Sequence, residues 1–170
     1  MTTVKNPTGW SSEGDHMPTL VRMDELDVDD VGFGDLPTRG MPIRPAEDAV
    51  LINNPSGQFR AIKADNGFEV QKEKGSVFET LYKDGFTPRK PEEFYENLEY
   101  NQHHPDSIFV KKLIITMPKA YVHASMSENH LTLTKSAVKE KVEVNAGNYT
   151  EILKDYFGLD IKIDRLESAL

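Results

Sequence analysis

Cysteine is absent from the 170 residues, which excludes disulfides, thiolate metal sites and a cysteine nucleophile within the chain. Long apolar runs are missing too. No stretch approaches the roughly 20 apolar residues that a membrane helix needs, and the opening MTTVKNPTGWSSEGD lacks the apolar centre of a secretory signal. Basic charge is outweighed: 20 Lys and Arg against 28 Asp and Glu leave a net charge of −8, with no compact basic block. That balance disfavours a nucleic-acid partner or an anionic membrane surface, and a cytoplasmic location is the expectation. What remains, 38% hydrophobic and 28% charged residues, suits a folded chain of one domain or two small ones with a modest core.

Along the chain the character changes several times. Residues 1–15 carry Gly, Pro, Ser, Asn and Thr around the isolated Trp10, a composition expected of a flexible N-terminal arm. From 16 to 90, short apolar runs broken by turn residues predict antiparallel strands curled into a small β-barrel, with AVLI at 49–52 and VFETLY at 77–82 among them. Asn66-Gly67 is expected to supply positive φ angles to one tight hairpin. Residues 91–105 read as a linker helix: Pro91 at its first position, an apolar stripe of Phe94, Tyr95 and Leu98, and Pro105 as its stop. Over 106–170, IFVKKLIITM, AYVHASM, HLTLT and KEKVEV predict four strands, the last half-buried. NYTEILKDYFG then predicts a packed helix capped by Asn148, with Glu151 at its third position and Gly158 as its end. The fold class is therefore α+β: an antiparallel β-barrel, a linker helix, and a small β-sheet with one packed C-terminal helix.

The acid-rich stretch DVDDVGFGDLPTRG, Asp27 to Gly40, asks which carboxylate is placed for chemistry. If HMPTLVRMDELDVDD folds as a hairpin bent at Met23, cross-strand partners sum to 46. Leu20 then faces Leu26, Pro18 faces Val28, and His16 faces Asp30, all on the apolar side, while Asp27 and Asp29 point away. A carboxylate on an apolar face needs a partner, and an opposed imidazole supplies one. Such a pair orients a histidine as a general base. The same contact also serves a purely structural hairpin end, and spacing alone leaves both open.

Three blocks go further. DVGFGDLPTRGMPI resembles the signature of arylamine N-acetyltransferases; FYENLEYNQHHPDSIFVKKLI is similar to the family's interdomain helix and its His-Pro-x-Ser-x-Phe segment, here His104, Pro105, Ser107 and Phe109; and YTEILKDYFGLDI looks like its terminal helix. The order and spacing agree from about His16 to Ile163. The resemblance implies acetyl transfer from acetyl-CoA to an arylamine or hydrazine by a ping-pong Cys-His-Asp mechanism, without a metal. By position it makes His16 and Asp30 the catalytic histidine and aspartate. It assigns Phe33 and Gly34 to the CoA channel, Phe33 also to the acceptor, His104 to the cofactor side and Phe109 to the substrate side of the cleft. Phe33 and Gly34 serve equally as a tight turn with a core ring, and Pro105 alone explains a helix stop.

The resemblance also implies what is missing. The family's nucleophile sits in an N-terminal helical domain, within Arg-Gly-Gly-x-Cys, and this sequence has neither. Asp15 stands where the family usually has threonine, Pro18 interrupts a normally apolar strand, and Asp29 fills a normally apolar site. The chain is therefore expected to be inactive alone. The alternative is a non-catalytic fragment or subunit that docks a separately encoded N-terminal half and completes the triad in trans. His103, His104, His123 and His130 match no dense metal-ligand spacing, Lys111-Lys112 reads as a solvated pair, and Met23, Met117 and Met126 read as core filler.

Overall fold

The computed structural model describes residues 1–167; the last three residues of the expected 106–170 unit lie outside the described residues. β1 (Thr3–Asn6) and β2 (Gly9–Trp10) form a tight hairpin, followed by β3 (Thr19–Arg22), β4 (Leu26–Asp29) and β5 (Met41–Arg44). β6 (Ile52–Asn54), β7 (Gly57–Ala64), β8 (Gly67–Lys74) and β9 (Val77–Asp84) complete one sheet in the order β2-β1-β9-β8-β7-β5-β4-β3, with β6 also on β7. It curls into a half-barrel whose ends, β2 and β3, are not paired to each other, and β5 runs parallel to β7. A 3-10 turn at Pro91–Phe94 leads into α1 (Tyr95–His103), and α2 (Ile108–Lys111) follows. The second sheet is an antiparallel meander of β10 (Ile115–Pro118), β11 (His123–Met126), β12 (His130–Lys135) and β13 (Val138–Glu143). α3 (Tyr149–Ile152) runs on through a π-helical turn at Leu153–Phe157 to Gly158, and α4 (Asp164–Glu167) comes last. The class is α+β. Among the described residues no helix is long and apolar enough to cross a membrane.

Each sheet has its own core. Alternation along the long strands turns Phe59 and Ala61 of β7, Phe68 and Val70 of β8 and Tyr82 of β9 into the half-barrel, where they meet Val28, Met41 and Ile43. The second sheet buries Ala124, Met126, Leu131 and Leu133 against Tyr149, Ile152, Leu153 and Phe157, as the apolar face of NYTEILKDYFG requires.

Several sequence expectations are corrected. The first residues are not a flexible arm. β1 pairs with β9, with Val4 opposite Tyr82; Thr2 is fully buried and its hydroxyl donates to Asp84. The open edge of β9 offers backbone partners that composition cannot show. Of AVLI only Ile52 is in a strand. The β7–β8 turn is Asp65-Asn66, neither with positive φ. Gly67 matters instead because a Cβ there would lie 1.8 Å from the Asp84 carbonyl oxygen. IFVKK forms a helical turn, not a strand, because the Ser107 hydroxyl accepts the Phe109 N–H and starts it. KEKVEV is exposed from Lys139 to Glu143, on the outer edge of the second sheet where Lys and Glu discourage further pairing, and only its last residue, Val144, is buried. Asn148 makes no side-chain cap; its amide bridges the Asn145 N–H and the Glu143 carbonyl. Met23 is exposed at a bend rather than buried.

Gly67→Ala should lower unfolding stability by about 1–3 kcal/mol in urea denaturation, because the added methyl must displace backbone. Gly85→Ala, whose Cβ would meet nothing nearer than 3.6 Å, should stay close to the parent. Equal midpoints for the two variants would mean that β8 and β9 have slack at this crossing.

Candidate functional site

The site begins where β4 ends. Asp30 follows the last residue of that strand, and its Oδ1 accepts the N–H groups of Gly32 at 3.0 Å and Phe33 at 3.1 Å. This is the turn an Asp makes with the backbone two and three residues on. Its Oδ2 lies 2.6 Å from His16 Nε2; the Asp30 side chain is 1% exposed and that of His16 14%. A carboxylate is an acceptor, so Nε2 carries the proton and donates it to Asp30. The other ring nitrogen, Nδ1, has no hydrogen bond among the described residues.

The contact is the expected one, but the register behind it is different. Leu20 faces Val28 and Arg22 faces Leu26, so partners sum to 48 and the bend centres on Asp24 rather than Met23. His16 precedes β3 and reaches Asp30 diagonally. A shift of two keeps every side chain on its face, which is why the pair survives the change. Asp27 and Asp29 do lie apart from it, both against Gly40. Loss of water, then the charges of Glu25 and Asp29, raise the Asp27 carboxyl.

Two rings enclose the pair. The His16 imidazole meets Phe33 and Tyr82 edge-on at 5.5 and 5.3 Å, and Phe33 and Tyr82 are 5.5 Å apart. Burial works to raise the Asp30 carboxyl, but the hydrogen bond and charge of His16, with help from Tyr82 and the Gly32 N–H, outweigh it and hold Asp30 below the usual carboxylate value. Burial, followed by the Asp30 charge, pushes the Tyr82 phenol far up, so it stays protonated. Its hydroxyl is near Asp30 yet makes no hydrogen bond of good geometry.

The loop after Asp30 is pinned from the second sheet. Gly34 has φ 83°, and a Cβ there would come 2.8 Å from Thr116 Oγ1 of β10, so only glycine fits. The Gly34 carbonyl accepts from His123 Nε2 of β11 at 2.5 Å, and Asp35 pairs with Lys72 of β8 at 2.6 Å. α1 secures the other side: Asn97 donates to the Glu13 carbonyl and Asn101 to Asp15, fixing the stretch that delivers His16.

Tyr82, Thr116, His123, Lys72 and the two Asn residues were not singled out as site residues from sequence. A buried histidine inside the apolar run AYVHASM was the one available signal. His104 and Phe109 lie elsewhere among the contacts. His104 stacks on Tyr100 at 4.4 Å and accepts the Asp106 N–H, Phe109 is exposed on α2, and no hydrogen bond or ring contact links either to His16, Asp30 or Phe33 among the described residues.

The Asp30 carboxyl sits below 3.8 when folded, so its contribution to stability is complete above that value. It is lost as pH falls from there through the lower folded value. Asp30→Asn should cost about 1–3 kcal/mol at pH 7, and the gap to the parent should narrow below about pH 4. A gap in urea unfolding that stays constant from pH 7 to pH 3 would count against an ionised, paired Asp30.

The model of the N-acetyltransferase family matches residues 1–166. No curated protein sequence matches the chain. Among solved structures it is similar to the arylamine N-acetyltransferase NAT3 of Bacillus cereus, described with a Cys-His-Glu catalytic triad (24% identity, TM-score 0.75, covering 94% of this chain and 64% of that one). It is similar to the Salmonella typhimurium arylamine N-acetyltransferase (18%, TM-score 0.78, 95% and 61%) and to that of Mycobacterium marinum in complex with CoA (19%, TM-score 0.80, 98% and 66%). At these identities the likeness is one of fold, and the chain spans less than two thirds of the length of each.

Proposed function

The chain belongs to the arylamine N-acetyltransferase family, and we propose that it carries the base and the orienting acid of an acetyl transfer from acetyl-CoA to an arylamine or hydrazine, with no turnover by itself. The observation that carries this is the 2.6 Å contact of His16 Nε2 with a buried Asp30, which leaves Nδ1 to take a proton. A thiol brought to Nδ1 gives up its proton there. The thiolate bonds to the acetyl carbon and CoA leaves with the proton from Nδ1; the acceptor amine then bonds to that carbon and gives its proton to Nδ1 as the sulfur is displaced, and the sulfur takes that proton back as the thiol. Asp30 holds the imidazole in one tautomer and stabilises the imidazolium. The chain contains no cysteine, so it cannot supply the sulfur. Phe33, whose ring lies against the imidazole, is assigned to cover the reacting group, and Gly34 to let CoA approach the backbone. His104 and Phe109 are assigned to CoA and acceptor contacts by the family resemblance alone.

A second possibility is a subunit that docks a separately encoded, thiol-bearing N-terminal half. It is favoured by the exposure of Met17 and Val31 immediately beside the pair: 58% for the first and complete for the second. A cytoplasmic setting belongs to the same proposal.

Free CoA released from acetyl-CoA and an arylamine is the measurement. The chain alone should match a His16→Ala control. Addition of the Cys-bearing N-terminal third of a relative should bring turnover that His16→Ala lowers by about 100-fold or more. Turnover by the chain alone rejects the first statement; no complex and no turnover with the added segment rejects docking.

A further inference from the structure

A roomy cleft lies apart from the His16–Asp30 pair. It is lined by Met17, by β3, β4, β5 and β7 and by the 85–89 loop, and encloses about 980 Å3, within the range of small-molecule sites. Its floor is apolar: Leu20, Leu26 and Ile43 belong to the half-barrel core, and Phe86 packs on Phe68 at 5.9 Å between ring centres.

Its mouth carries both signs, Glu25 and Asp84 beside Arg22, Arg44, Lys63 and Arg89, but Asp84 is bonded by the Thr2 hydroxyl and Arg89 pairs with Glu93, which leaves two cations in an unusual place. Arg22 is two residues from Leu20 and directly opposite Leu26; Lys63 is two residues from the fully buried Ala61. Side chains two apart share a face of a strand, so both cations stand on the side of the sheet that faces the core, at the point where the core ends. Neither has an ion pair among the described residues, whereas Arg44 in the same wall is neutralised by Glu25 through two hydrogen bonds of 2.7 and 2.8 Å. An inward charge on edge strand β3 can serve to block pairing. Lys63 lies on β7, which has neighbours on both sides, so that explanation does not reach it.

We infer that this cleft binds a small amphipathic carboxylate, its aliphatic or aryl tail on the Leu20–Leu26–Ile43 floor and its head group between Arg22 and Lys63. Apolar burial supplies affinity, and the two cations supply the preference for an anion. The cleft includes neither His16 nor Asp30, although Met17 of the docking surface lines it, and the inference does not rest on the acetyl-transfer reading.

Decanoate is the probe and decanol its uncharged control, each titrated into the full chain by calorimetry and by amide chemical shifts. Decanoate should saturate one site with shifts in β3, β5 and residues 85–89, weaken with added salt, and exceed decanol by about tenfold. The Arg22→Gln, Lys63→Gln double variant should lose about tenfold, the sum of two exposed ion pairs. Lys63→Gln alone tests the point if the double variant does not fold. His16→Ala should bind decanoate as the parent does, which keeps this result apart from the catalytic one. Equal binding of decanol, unchanged binding by folded Lys63→Gln, shifts elsewhere, or self-association that covers the cleft in sedimentation would each overturn the inference.

Discussion

The arrangement of the site depends on how one carboxylate is satisfied. Taking Asp30 out of water costs several kcal/mol unless donors replace the solvent, and the chain supplies donors on both oxygens: two backbone N–H groups on one, the His16 imidazole on the other. Those bonds do more than offset desolvation. The backbone pair fixes the turn that follows β4, the turn sets Phe33 against the imidazole, and the imidazole is left with a single free nitrogen. Geometry at Asp30 therefore propagates to every group through which the site could act.

That turn is held jointly by the two sheets. Gly34 presses on Thr116 and is bonded by His123, while Asp35 reaches back to Lys72 of the half-barrel. The second sheet is therefore part of the positioning of Asp30, not only a cover over it. α1 contributes in a similar way, with two asparagine amides steadying residues 13–15 ahead of His16. The short polar stretch before β3 is in this sense as structural as the strand it leads into.

How much of this the sequence disclosed depends on the range of the interaction. The His16–Asp30 contact was legible because face alternation is insensitive to a register error of two, and the bend was in fact displaced by one residue. The α+β class and the long strands β7 to β9 were legible from alternation. The first strand was not, because Val4 and Thr2 gain their burial from β9, some eighty residues away. Ser107 illustrates the opposite failure: a single hydroxyl at the start of IFVKK outweighed a β-branched pattern. Tyr82 was invisible as a site residue for the same reason as Val4, since it reaches the turn only through tertiary packing, and His123 left only the faint signal of a histidine within an apolar run.

The hairpin of β1 and β2 has a practical corollary. The sole tryptophan, Trp10, sits there beneath the ammonium groups of Lys5 and Lys83, 4.9 and 4.4 Å from its ring centre. Indole emission from this molecule is consequently a local gauge of whether its opening segment is seated on β9, and is blind to the meander of β10 to β13. Melting curves followed by light from that ring and by far-ultraviolet ellipticity track different parts of the chain, and their divergence would time the peeling of one edge against the collapse of the whole.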